Sequence, residues 1–571
     1  MNPTLMNVLV GTDVYKMGHM EQIAPGCNQV YSYLLARSDK KFKETVFFGL
    51  QYILKEYLSA KLTPEMGEKW LEIRRRIIGS DSEEVTTKIR ALCKLGYFPV
   101  KIKAIPEGTV MSVRNVLMTI KSTNDEFCWV TGYLESLLLK VWYPTTVATC
   151  CYQYKKLVDR MFDRTVDEDQ YFLKPFMVHD FGYRGDTSEE GAAISGAAHL
   201  LSFMGSDTVP ALPFIDEFYT GDKSKTYMMS VPATEHAVMC SYGRDGELEA
   251  YKNLLRIYPT GLVSIVSDTF NIWTVLRDYA AELKEEILAR DGKVVFRGDS
   301  GDPESIICGT IDYIKSIESE INRMGTYLSS VDKLIFECKD YIQERSSNIY
   351  DPLPIYIHKN VFCKDLNKFI NLKLTMEYEY IPIYDSINSK ILVKSFTPEY
   401  SDYFPTDEEK GCIRLLDEMF GSTVNKKGFK VLNPKVGFLY GDGMYYERSE
   451  RSLERLETMG YASSEVVIAA GGIFRNHSRD TLGFALKSTH VEVNGIPRDI
   501  EKDPITDPGK KSHKGYLKLE FSDGKYVTTD KCSKLEEESG LLQTVFEDGK
   551  LLIDQTFDEI KARVQEYDHA K

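Results

Sequence analysis

The residues best suited to chemistry sit where short apolar runs stop. Val294, Val295 and Phe296 read as the end of a buried strand, and the chain then runs Arg297-Gly298-Asp299-Ser300-Gly301-Asp302-Pro303. Its two glycines permit tight turns and close backbone approach to a ligand. Arg297 offers a planar fork of donors suited to a phosphate or a stacked ring. Asp299 and Asp302 offer hard oxygens for a magnesium ion or for hydroxyls. One such turn alone reads equally well as a strand-to-loop connection with solvated acids.

The pattern recurs. Val263–Val266 runs into Ser267-Asp268, Val436–Tyr440 into Gly441-Asp442-Gly443, and Val466–Ala470 into Gly471-Gly472. Phe176-Met177-Val178 runs into His179-Asp180-Phe181-Gly182-Tyr183-Arg184-Gly185. Each apolar run is too short for a helix, and helix-like segments lie between several of them. Continuous apolar strands alternating with helices imply a parallel sheet covered by helices. In an α/β barrel of that kind the ligand site forms at the carboxyl ends of the strands. These polar tips are therefore expected to converge on one site.

Three further positions have both a chemical and a structural reading. In Ser230-Val231-Pro232-Ala233-Thr234-Glu235-His236, a histidine beside a glutamate suits proton transfer or phosphoryl acceptance. A structural histidine is the commoner case, and the same holds for His179 and His199. Asp207, in Gly205-Ser206-Asp207-Thr208, has the usual loop role of a turn or cap residue as its competitor. Phe181 with Arg184 nearby could clamp a flat heterocycle.

Composition narrows the class. The 571 residues are enough for two or three domains, and 43% hydrophobic with 27% charged residues is ordinary for a soluble enzyme. A net charge of −14 argues against a general nucleic-acid binder. The start, MNPTLMNVLVGTD, has no basic region followed by a long apolar segment, and no run is long enough to span a bilayer. The 11 cysteines are scattered, with no CxxC pair, as expected of reduced thiols in the cytoplasm.

The expected organisation is an N-terminal α+β region at 1–170, the barrel in two parts at 171–310 and 413–500, and a C-terminal segment at 501–571. Residues 311–412 are too long for one barrel connection and read as an inserted α+β subdomain. Helices are expected over Thr45–Leu58, Glu126–Thr149, Pro303–Arg323, Ser330–Arg345 and Asp407–Met419, with strands around Leu372–Val393. Hairpins are expected at Tyr516–Thr528 and Leu541–Gln555, and a terminal helix at Phe557–Glu566. Lys510, Lys511, His513 and Lys514 form a local basic spot whose commoner role is a solvated loop.

Taken together, HDFGYRG at 179–185, GSDTV at 205–209, SVPATEH at 230–236, Val266–Asp268, Arg297–Gly301, Gly441–Gly443 and Lys502–Pro508 resemble the nicotinamide phosphoribosyltransferases in identity and order. Thr12–Lys16, Val30–Tyr33, Glu44–Leu54 and Trp142–Thr149 extend the likeness to the amino end, leaving about 311–412 without a counterpart. The resemblance implies a type II phosphoribosyltransferase: an irregular α/β barrel joined to a β-rich domain formed by N- and C-terminal segments. It implies a homodimer with its active site at the subunit interface. The reaction implied joins nicotinamide to phosphoribosyl pyrophosphate (PRPP) with Mg²⁺, the ion held through the PRPP or pyrophosphate phosphates, and with ATP as co-substrate.

Carried over position by position, Phe181 matches the ring that stacks on nicotinamide and Tyr15 a ring from the other subunit. Asp207 matches the acid that accepts the carboxamide N–H; a buried carboxylate there would repel nicotinate. Arg297 matches an arginine near the pyridine and phosphoribosyl groups, and Arg184 a nucleotide-phosphate contact. Asp299, Gly441, Asp442 and Gly471 match ribose- and phosphate-binding positions, and Arg479 another phosphate contact. Lys487, Lys502 and Lys510 match cations on the PRPP or pyrophosphate side. His236 matches a histidine phosphorylated by ATP, with Glu235 and Asp268 beside it. The chain departs from the family at Ala470 and Ala485, where serine is usual. A nicotinate phosphoribosyltransferase and a non-catalytic binding or signalling homologue are the alternatives, opposed by Asp207 and by the intact Arg297, Asp299, His236 and Gly441–Gly443 respectively.

Overall fold

A computed structural model describes residues 7–330, 355–382, 389–506 and 510–569. The chain divides into two compact units, one of residues 1–160, 172–230 and 468–571 and the other of residues 161–171 and 231–467.

The first unit is built on a seven-stranded antiparallel sheet. Its order is Ile496–Asp499, Ala485–Val493, Cys27–Leu35, Val116–Ser122, Val100–Ala104, Gln543–Glu547 and Lys550–Leu551. N- and C-terminal segments thus share one sheet, as expected for the β-rich domain. Val116, Leu117, Met118 and Ile120 on its central strand are fully buried. The same unit holds a short parallel pair, with Ile468↔Val178 and Ala470↔Asp180 in register, which carries the HDFGYRG tip. The expected hairpins are the strands Tyr516–Ser522 with Lys525–Cys532 and Gln543–Glu547 with Lys550–Leu551, and the last helix runs Phe557–His569.

The second unit contains three parallel strands, Thr260–Val266, Asp291–Gly298 and Val436–Tyr440. Val263, Val294 and Val436 are level in the ladder, so the tips at Ser267, Gly298 and Gly441 end together. Val263, Ile265, Val266, Val294, Phe296 and Phe438 are buried at 1% exposure or less, the continuous apolar character of a covered parallel sheet. A separate sheet of Asp312–Ile314, Ile355–Cys363, Lys368–Pro382 and Ser389–Asp402 packs with the helix Ile317–Ser330 around Val361, Ile370 and Leu372.

Several expected helices are broken. Pro303–Arg323 is a helix only at Pro303–Cys308, followed by a strand at Asp312–Ile314 and a new helix from Ile317. Asp407–Met419 splits into Asp407–Lys410 and Cys412–Phe420. Gly309 and Gly411 cause both breaks: their φ values are +74° and +79°, and a Cβ on either would lie 2.2 Å from the other segment's backbone. Glu126–Thr149 is a run of short turns until the helix Trp142–Thr165 begins. Pro144 in that helix's first turn has no N–H with which to continue an earlier helix. Thr45–Leu58 opens as a strand, Glu44–Val46, before its helix starts at Leu50. The expected helix Ser330–Arg345 lies almost wholly outside the described residues, as do Asp507 and Pro508.

Candidate active site

In the second unit the strand tips form an acidic cluster built from the backbone outward. The Ser267 N–H donates to the Arg297 carbonyl at 2.8 Å, and the Arg297 N–H donates to Ser267 Oγ at 3.3 Å. The Gly441 N–H donates to the Gly298 carbonyl at 3.0 Å, and the Tyr440 hydroxyl donates to the Gly301 carbonyl at 2.9 Å. A Cβ on Gly298 would meet the Tyr440 ring at 3.1 Å. Asp268 is the hub. Its Oδ2 accepts from the Asp299 N–H at 2.8 Å and from Ser300 Oγ at 2.6 Å, and its Oδ1 lies 3.3 Å from His236 Nε2.

His236 is placed by Thr234, whose N–H donates to the Ser264 carbonyl at 3.0 Å and whose hydroxyl accepts from the Val266 N–H at 2.9 Å. The Asp268 side chain is only 5% exposed, whereas His236 is 46% exposed and open to a solute. Glu235, also exposed, precedes it at the start of the short helix His236–Cys240. Burial raises the Asp299 carboxyl above its ordinary value; Asp268 and Asp442 push it further, while Arg297 and His236 oppose. Asp442 is exposed. Asp302 behaves differently. It caps the helix Pro303–Cys308, its Oδ2 accepting from the Ser305 N–H at 3.0 Å and from Ser305 Oγ at 2.9 Å.

In the first unit an aromatic and acidic cluster is held by the backbone. The Asp180 N–H donates to the Gly205 carbonyl at 3.0 Å, the Asp207 N–H to the Asp180 carbonyl at 2.8 Å, and the Phe181 N–H to the Ala470 carbonyl at 2.8 Å. His179 Nε2 is 2.8 Å from Asp207 Oδ1, and the Ser230 hydroxyl donates to the same oxygen. The His179 and Phe181 rings lie 4.6 Å apart. Asp207 is not buried as expected: its side chain is 37% exposed. The loop alternates, with Ser206 and Thr208 fully buried, which turns Asp207 outward.

Beneath this loop lies a network that motif reading did not assign. Arg475 reaches Asp180 Oδ2 at 2.9 Å through one nitrogen and Asp186 Oδ2 at 3.0 Å through another. Burial would raise the Asp180 carboxyl, but Arg475, with help from His199, brings it down to about 2. A Cβ on Gly182 would fall 2.2 Å from the Arg475 guanidinium, so the glycine of HDFGYRG is required by this ion pair. The only sequence signal was that glycine; Arg475 lies far along the chain. His199, read as more commonly structural, is fully buried, with Nε2 2.9 Å from the Gly205 carbonyl.

The same unit gathers cations. Lys487 stands opposite Tyr33 in the strand pair. Burial lowers its ammonium, Arg37, Lys502 and Arg479 lower it further, and Glu135 opposes them. Arg37, at the end of its strand, is held by its Nε donating to the Gly483 carbonyl at 3.1 Å, and it too was unassigned. Arg479 and Lys502 are exposed, and Arg479 pairs with the adjacent Asp480 at 2.9 Å. Lys510 is exposed, while Lys511 and Lys514 are matched by Asp503 at 2.7 Å and Glu501 at 3.1 Å, so the basic spot is largely neutralised. Arg184 is exposed in the turn Tyr183–Gly185, and Gly471 lies against the Phe181 carbonyl. Tyr15 is 62% exposed, with the Lys16 ammonium 5.3 Å from its ring centroid. Among the described residues no group of three or more His, Cys, Asp or Glu could hold a metal ion, and no helix is long and apolar enough to cross a membrane.

The chain shares sequence with known phosphoribosyltransferases. The model of the nicotinate phosphoribosyltransferase (NAPRTase) family matches residues 176–335 and 384–550, and that of the nicotinamide phosphoribosyltransferase N-terminal domain matches residues 7–80. The chain belongs to the nicotinate phosphoribosyltransferase family. It is 34% identical to nicotinamide phosphoribosyltransferase of Acinetobacter baylyi, covering 98% of this chain and 97% of that one. It is 32% identical to nicotinamide phosphoribosyltransferase of Xanthomonas campestris pv. campestris, covering 98% of each. The fold matches the crystal structure of nicotinate-nucleotide pyrophosphorylase from Pyrococcus furiosus with a TM-score of 0.50 at 14% identity, covering 100% of this chain and 97% of that one. The expectation that about 311–412 lacks a counterpart is corrected: the family model matches 311–335 and 384–412, and only 336–383 lies between its two matches.

Proposed function

We propose that this chain transfers the phosphoribosyl group of PRPP to the ring nitrogen of nicotinamide, releasing pyrophosphate and forming nicotinamide mononucleotide for NAD salvage. The bond from the ribose carbon to pyrophosphate breaks as the bond to the pyridine nitrogen forms. Two relatives with 98% of this chain aligned carry that enzyme name. The observation that favours the amide is Asp207, an ionisable carboxylate 2.8 Å from His179 and reached by the Ser230 hydroxyl. A carboxylate accepts the N–H of a carboxamide and repels the carboxylate of nicotinate.

In this reading Phe181 stacks on the pyridine ring and Arg297 and Arg184 take phosphoribosyl contacts. Asp299 and Asp442 accept from ribose hydroxyls, and the glycine tips at Gly441 and Gly471 let backbone N–H groups approach phosphate. Lys487, Arg479, Lys502, Lys510 and the additional Arg37 stabilise the negative charge that develops on the leaving pyrophosphate. The reaction needs no strong base, because the pyridine nitrogen is itself the nucleophile; positioning and charge are the work of the protein. In this reading a magnesium ion would be held mainly by the phosphates, with Asp299 or Asp442 able to add a carboxylate, as is usual for Mg²⁺. When bound, the ion would neutralise phosphate charge.

ATP enters this proposal through His236, which would accept a phosphoryl group, with Asp268 orienting the imidazole and Glu235 at its side. A homodimer would bring Tyr15 of one subunit to the pyridine ring bound by the other; the exposure of Tyr15 is what such a role needs. Residues 311–412 are proposed as an inserted subdomain, on the strength of their own sheet and core.

The test is substrate discrimination. The unmodified protein should favour nicotinamide over nicotinate in kcat/KM, and Asp207→Ser should lose that preference. Equal use of both by the unmodified protein would overturn the assignment of Asp207.

A further inference from the structure

We infer that His179 is a specificity-setting positioning residue: it fixes the Asp207 carboxylate in the orientation that receives the carboxamide and keeps its negative charge turned toward the substrate. The inference rests on the proposed reading in which Asp207 receives the carboxamide.

The geometry is specific. His179 Nε2 is 2.8 Å from Asp207 Oδ1, and the imidazole lies against Phe181 with ring centroids 4.6 Å apart. One side chain therefore touches both walls proposed to hold the pyridine. Space for it is built in: a Cβ on Gly205 would lie 2.8 Å from His179 Nδ1, so only glycine there admits the ring in this position. The His179 side chain is 12% exposed, so the pair is partly screened from water, while Asp207 keeps a face open to a solute.

Ser230 donates to the same Asp207 oxygen and stays neutral. His199, on the helix Glu189–Leu200, is held down at about 4 by burial and is uncharged near neutrality. Asp180, next in the strand, is paired with Arg475. An imidazole donating from Nε2 holds the carboxylate in place, and the carboxylate repels nicotinate. A fixed cation in place of the imidazole would lower that repulsion and cost the amide much of its advantage.

The experiment measures kcat/KM for nicotinamide and for nicotinate at one fixed pH, with PRPP saturating. It compares the wild type with His179→Gln, which keeps a neutral donor, His179→Lys, which puts a fixed cation beside the carboxylate, and His179→Ala, which removes the contact. The nicotinamide-to-nicotinate ratio should stay near the wild-type value in His179→Gln and fall by roughly tenfold in His179→Lys and His179→Ala. A wild-type ratio in a folded His179→Lys or His179→Ala overturns the inference. Variants of different size and charge keep the test intact if one of them fails to fold. A wild-type protein that makes no mononucleotide would overturn the proposed function instead, a result distinguishable from an unchanged ratio.

Discussion

Asp268 and His236 are joined across two loops, with Nε2 of the imidazole 3.3 Å from Oδ1 of the carboxylate. The other oxygen of the same carboxylate accepts from the Asp299 N–H at 2.8 Å and from Ser300 Oγ at 2.6 Å. One buried acid thus orients the proposed phosphoryl acceptor and also holds the loop proposed to bind the sugar. A change at His236 and a change in the Asp299 loop are coupled through a single side chain.

That coupling separates two variants. His236→Ala should lose stimulation by ATP and keep ATP-independent turnover, because the Asp268 contacts to Asp299 and Ser300 survive. Asp268→Ala should lose both, with KM for PRPP rising by roughly tenfold or more as the loop is released. Initial rates with and without ATP, across a PRPP titration, check this; equal ATP stimulation in His236→Ala and wild type would contradict it.

Lys487 should trade stability against function. Burial and the neighbouring Arg37, Lys502 and Arg479 all disfavour its charge. Lys487→Met removes that unfavourable charge while keeping the length of the chain, so Tm should rise. The same variant should lose about a hundredfold in kcat/KM for PRPP, since a cation is lost where leaving-group charge would develop. Calorimetry and steady-state kinetics on one preparation check both signs.

Gly182→Ala should be destabilising by about 1–3 kcal/mol. Its new methyl would sit 2.2 Å from an Arg475 guanidinium that cannot swing away, being 1% exposed and held by Asp180 and Asp186. Because Phe181 is the preceding residue, KM for nicotinamide should rise as well. Urea unfolding with matched kinetics reads the two effects.

Acid should weaken the fold in a defined window. Burial holds His199 down at about 4, below the ordinary 6.5. The unfolded chain then binds the proton more readily than the folded one between those values. The contribution is fully present above about pH 6.5 and is lost progressively as the pH falls toward about 4, amounting to about 3 kcal/mol. Urea midpoints should fall over that range, and His199→Gln should show a shallower dependence although it is less stable at neutral pH.

The sequence carried the strands and their tips because apolar runs ending in glycine and acids are local signals. Val294–Phe296 and Val436–Tyr440 are strands where their composition placed them. It did not carry the helix breaks at Gly309 and Gly411, which exist because two distant backbones touch, or the ion pair joining Asp180 to Arg475 across 295 positions. The capping role of Asp302 was not legible for a related reason: a strand-tip acid and a helix cap look alike until the helix at Pro303 is seen. Asp207 was placed in a loop correctly, but its exposure follows from which neighbours the loop buries.

The most direct test of the central claim is product analysis of the purified, folded protein with nicotinamide, PRPP and magnesium. The account predicts nicotinamide mononucleotide and pyrophosphate in equal amounts, with more product when ATP is added. A folded sample that consumes neither substrate, or that makes only the nicotinate mononucleotide when offered both bases, would contradict it.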